Sequence, residues 1–162
     1  MPQDLYTIVR WTHVLAASAW FGEVVVINFI LIPTLSRYSA ESRKDFLNAV
    51  FPRVFRLASI LAATAVVTGV LLLYHHTRFD LSVLTESRWG IAIGIGGTLG
   101  LLLTLFHFFM ENRLARRVGV GDPELSGDAV EDVHTKLTIV PRAGLVVITT
   151  IFVLMMTAVR GL

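Results

Sequence analysis

The sequence predicts an all-α integral membrane four-helix bundle with both termini on the outer side. Three observations carry that expectation. The 162 residues are 54% hydrophobic and only 16% charged, with a mean hydropathy of +0.69, too apolar for a soluble domain of this length. Four stretches reach the roughly 20 apolar residues that a spanning helix needs. Lysine and arginine gather in two of the connecting segments and are sparse elsewhere.

Span one is expected at 6–33. It contains "AASA" at 16–19, which resembles a cleavage site, but the apolar run continues through "VVVINFILI" to Pro33, so it reads as a retained span. "SRYSAESRKD" follows it. Within the same connection Phe46, Leu47, Val50, Phe51 and Val54 recur at helical spacing, which predicts a short interfacial helix. Span two is expected at 54–76, span three at 89–110 and span four at 137–159. "HHTRFDLSVLTESR" and "ENRLARRVGVGDPELSGDAVEDVHTK" form the second and third joints. So little chain lies outside the bilayer that residues 1–162 form one membrane domain.

The first and third connections hold Arg37, Arg43, Lys44, Arg53, Arg56, Arg113, Arg116, Arg117, Lys136 and Arg142. The opposite side holds Arg10, Arg78, Arg88 and Arg160. The bias puts the first group inside and the termini outside, as in the inner (cytoplasmic) membrane of a bacterium or archaeon. Trp11, Tyr74 and Trp89 then fall in an outer aromatic belt. The net charge of +2 is explained by this topology, and nucleic acid is not an expected partner. Cysteine is absent, which excludes disulfides and thiolate chemistry.

The five histidines sort by depth. His13, His75 and His76 belong to an outer layer, and His107 and His134 to an inner one roughly 20 to 25 Å away. Imidazole enters a bilayer at modest cost and offers a lone pair, so histidines on facing helices suit haem iron. The expected ligand pairs are His13 with His76 or His75, and His107 with His134. Gly96, Gly100 and Thr104 lie on the His107 face of span three, and Ala62, Ala65 and Gly69 bear a similar relation to His76 on span two. Such small side chains make room for a flat cofactor or, equally, let helices pack closely. Glu23, at mid-span, is a candidate proton relay or a partner for a hydroxyl such as Thr64 or Thr149. Arg53, Arg56 and Arg142 are candidates to hold haem propionates, or simply carry the positive-inside signal.

"RWTHVLAASAWFG" resembles the opening span of a group of small membrane proteins that includes the HemJ-type protoporphyrinogen oxidases, the CopD copper-resistance domain and the membrane part of the PuuD-type urate oxidases. "FPRVFRLASILAATAVVTGVLLL" and "FHFFMENRLARR" are similar to their second and third spans. The resemblance implies haem binding, with His13 as an axial ligand. One departure is that those oxidases carry a lysine-bearing motif early in span three, where this chain reads "SRWGIAIGIGG". The expected function is a b-type cytochrome with one or two haems b, exchanging electrons with a quinone or a redox protein, with a homo-oligomer as a candidate assembly. The alternatives are HemJ-like porphyrinogen oxidation and CopD-like copper handling.

Overall fold

The computed structural model describes the backbone of residues 1–78, 80–118 and 127–160. It describes the side chains of these except at 40, 44, 47, 48, 111–138, 159 and 160. Among the described residues there are helices and no strand. Helix α1 (Gln3–Val26) starts after Pro2, whose carbonyl accepts from the Tyr6 amide. It runs through a π turn (Ile27–Leu31) into the single turn α2 (Ile32–Leu35). The widening sits directly before Pro33, whose ring removes a backbone donor and crowds the carbonyl four residues back.

Helix α3 (Ala40–Thr77) begins at Ser39, whose hydroxyl accepts from the Ser42 amide. It closes at Arg78, a residue in the left-handed region with φ 52°, whose amide donates to the Tyr74 carbonyl. The separate interfacial helix expected around 46–54 is absent. That segment is the first part of α3, which continues through Pro52, with the Arg53 guanidinium on the Ala49 carbonyl just before it. A 38-residue helix is about 57 Å long, far more than the hydrocarbon thickness, so its start stands outside the bilayer.

The short helix α4 (Val83–Glu86) follows an Asx turn in which the Ser82 amide and hydroxyl both donate to Asp80. Those hydrogen bonds hold the Asp80 carboxyl below the ordinary aspartate range. Gly90 lets α4 lie against the next helix, since a Cβ there would meet the Val83 carbonyl oxygen at 2.1 Å. Helices α5 (Arg88–Val118) and α6 (Gly127–Arg160) complete the bundle.

Four apolar segments are long enough to cross a membrane: Gln3–Leu35, Ala49–Thr77, Arg88–Met110 and Ile139–Ala158. The chain is an integral membrane protein, and its termini share one face. Packing is closest within the antiparallel pairs α1–α3 and α5–α6 and lighter between α3 and α5 and between α1, with its π turn, and α6. At the centre of the core Trp20 lies against Ala58, Ala62 and Ile148. Large apolar side chains such as Ile8, Leu15, Phe29, Phe109 and Val146 face outward, as lipid-facing positions do.

Candidate functional site

His13 points from α1 onto α3. Its Nδ1–H donates to the Ala65 carbonyl oxygen at 2.8 Å, with the Thr68 hydroxyl at 3.2 Å. The contact exists because residue 69 is glycine: a Cβ there would lie 3.0 Å from His13 Cε1 and 3.4 Å from Nδ1. A backbone acceptor on Nδ1 fixes the tautomer and leaves the Nε2 lone pair for a metal, the second-shell arrangement that histidine ligands commonly show.

His75 and His76 lie elsewhere. Both pack around Tyr6, with ring centroids 5.1 and 5.7 Å away, and His76 also meets Trp89 at 5.7 Å. The His76 Nδ1–H donates to the Leu72 carbonyl oxygen at 2.9 Å. His13 is therefore not paired with either of them. It meets α3 at residues 65–69, and the two others lie about 12 Å further along the same helix. The reason is register: Tyr6, two turns before His13, takes the place opposite the histidine pair.

His107 approaches α3 at Ser59, with Nε2 and the hydroxyl oxygen 3.1 Å apart, and packs beside Phe55. It lies about 12 Å inward of His13, so the expected outer and inner layers are three levels along α3. His134, the expected partner of His107, lies outside the described side chains. Among the described residues no group of three or more metal-binding side chains converges.

The small-residue faces are occupied by neighbouring helices. Ala62 is fully buried beneath Trp20. A Cβ at Gly96 would meet the Met155 methyl at 2.9 Å, and Gly100 faces Ile151. These stripes set close helix approach, one of the two roles their sequence allowed.

Arg53, Arg56 and Arg142 are exposed. Arg142 lies in the first turn of the last apolar segment, from where a long side chain reaches the membrane interface. Glu23 is half-buried, yet both its carboxyl oxygens are fully covered and, among the described residues, without a hydrogen-bond partner. The hydroxyls expected to serve it, Thr64 and Thr149, donate instead to Ile60 and Leu145 of their own helices.

Asn28 is a site residue that sequence reasoning passed over. From within the π turn its amide donates to the Val24 carbonyl at 2.8 Å and, across the bundle, to the Pro141 carbonyl of α6 at 2.9 Å. Its own oxygen is buried without a partner among the described residues. The overlooked signal was an amide standing inside an uninterrupted apolar run.

No curated protein and no solved structure matches the chain. Residues 15–118, more than half of its length and the stretch that carries Glu23, Asn28, Ser59 and His107, match the family described as a domain of unknown function (DUF4149), and the chain belongs to that family.

Proposed function

We propose that this protein is a membrane redox protein of cytochrome b type, carrying haem on His13 and exchanging electrons with a quinone or a redox partner in a bacterial or archaeal inner membrane. The observation that carries the reading is the His13 imidazole inside a span, with its Nδ1–H on the Ala65 carbonyl and Nε2 left as the donor atom. The imidazole fits haem iron chemically. Bound there, the haem would supply one-electron chemistry. The described geometry favours a single histidine ligand over the His13–His76 pairing, because His75 and His76 are engaged around Tyr6.

The test is visible spectroscopy of detergent-purified protein, oxidised and dithionite-reduced, with a pyridine haemochrome count. The expected result is a b-type spectrum at about one haem per chain, lost in His13→Ala and kept in a His75→Ala, His76→Ala double variant. A colourless protein after haem-supplemented expression, or full haem content in His13→Ala, overturns the reading. Stoichiometric copper on such a colourless protein would favour a CopD-like role.

A further inference from the structure

Apart from Asp4 at its start, α1 carries a single acidic residue, Glu23. Its helical neighbours divide cleanly. Ala16, Trp20 and Ile27, at offsets of minus seven, minus three and plus four, are buried against the bundle. Ala19, Val26 and Ile30, at minus four, plus three and plus seven, are exposed where lipid would lie. Glu23 belongs to both rows, so its carboxyl sits at the edge of the packed face, one layer beneath the lipid-facing surface.

That place sets the chemistry. An ionised carboxylate shut off from water inside an apolar span is far costlier than the neutral acid, which favours COOH there. A neutral acid has one O–H donor and one carbonyl acceptor, and both of Glu23's oxygens lack a partner among the described residues. The hydroxyl hydrogens of Thr64 and Thr149, the partners the sequence offered, are already on their own helices. A partner reaching this edge from the bilayer must be lipid-soluble and must offer a hydrogen-bond acceptor, a donor, or each in turn.

We propose that Glu23 anchors a lipid-side binding site for a quinone or quinol head group. The Glu23 O–H donates to a quinone carbonyl, and the Glu23 C=O accepts from a quinol hydroxyl. This deepens the redox reading above and rests on it for the choice of a redox-active ring.

Carbodiimides test it on the full-length protein in membranes, because they add to protonated carboxyls and leave a mass tag that peptide mapping locates. Lipid-soluble dicyclohexylcarbodiimide is expected to modify Glu23, and a water-soluble carbodiimide is expected not to. A decyl-substituted benzoquinone should slow the modification severalfold, while decylbenzene at the same concentration should not. Glu23→Gln should show no tag on that peptide and retain its haem. Labelling by the water-soluble reagent, no labelling by either, or a rate indifferent to the benzoquinone overturns the site. Haem is counted on the same samples: absent haem with intact quinone protection removes the cytochrome reading and leaves the site standing.

Discussion

Replacing Gly69 with alanine probes the contact that orients His13. The new Cβ would stand 3.0 Å from His13 Cε1 and 3.4 Å from Nδ1. Unstrained carbon contacts begin near 3.5 Å, so the ring must withdraw by about 0.5 Å. Ala65 lies one turn away on the same face of α3, so withdrawal stretches the 2.8 Å hydrogen bond to its carbonyl. At about 3.3 Å that bond is at the limit of useful geometry. Overpacking costs about 1–3 kcal/mol, and a weakened intramembrane hydrogen bond adds about 0.6 kcal/mol. Alanine returns about 1 kcal/mol of helix propensity. The net expectation is a loss of about 0.6–2.6 kcal/mol.

Gly97→Ala is the control. Nothing lies within 4 Å of the Cβ position at Gly97, so only the propensity gain remains and stability should hold or rise. Equilibrium unfolding in mixed micelles, followed by far-ultraviolet circular dichroism, measures both. A double-mutant cycle of Gly69→Ala with His13→Ala isolates the contact, and a coupling below about 0.3 kcal/mol would refute the reasoning.

Gly90→Ala places a Cβ 2.1 Å from the Val83 carbonyl oxygen and 2.8 Å from Leu84 Cα, both backbone atoms. The helix α4 must detach, at a cost of about 3 kcal/mol or more, and trypsin should then cut faster at Arg78 and Arg88; an unchanged digestion rate contradicts this. Asn28→Leu loses two hydrogen bonds at about 0.6 kcal/mol each but removes a buried oxygen whose lack of a partner costs about 1 kcal/mol. Stability should therefore change by less than about 0.5 kcal/mol, while the distance between spin labels at Val26 and Val146 widens as the tie from α1 to α6 is lost. A loss above about 2 kcal/mol would show that the amide contributes more than a pair of ordinary intramembrane bonds.

The spans were legible because their signal is long and redundant. Twenty apolar residues with charged flanks leave few alternatives, and the expected 89–110 and the observed Arg88–Met110 differ by one position. The segment around Phe46 to Val54 was harder. Its apolar spacing fits an interfacial helix or the end of a long span equally, and only the continuity of α3 through Pro52 decides between them. Depth along the membrane was legible only in order: His75 and His76 stand outermost and His107 inward as residue number implies, but His13 lies at a level of its own between them. Register between helices was not legible. Placing His13 opposite Gly69 and Tyr6 opposite His75 depends on how Trp20 seats over Ala58 and Ala62, a packing choice that no local pattern states. The small residues were read correctly as small and ambiguously as to purpose, because a face that admits a cofactor and one that admits a helix have the same composition.

The polar groups inside this bundle fall into two kinds, and the difference bears on where function lies. His13 finds the Ala65 carbonyl, Asn28 finds those of Val24 and Pro141, and His107 finds Ser59. Each bond crosses between helices or braces a turn, so each contributes to holding the bundle whatever else the residue does. Histidine is the exception among these in keeping a second nitrogen, which is why His13 can serve structure and a metal together. Glu23 makes no such bond among the described residues. A residue that stabilised the fold would not leave both oxygens covered and unmet when leucine would pack there at lower cost. The proposed quinone site would supply the missing partner, and the exposed row formed by Ala19, Val26 and Ile30 is the side from which it would arrive.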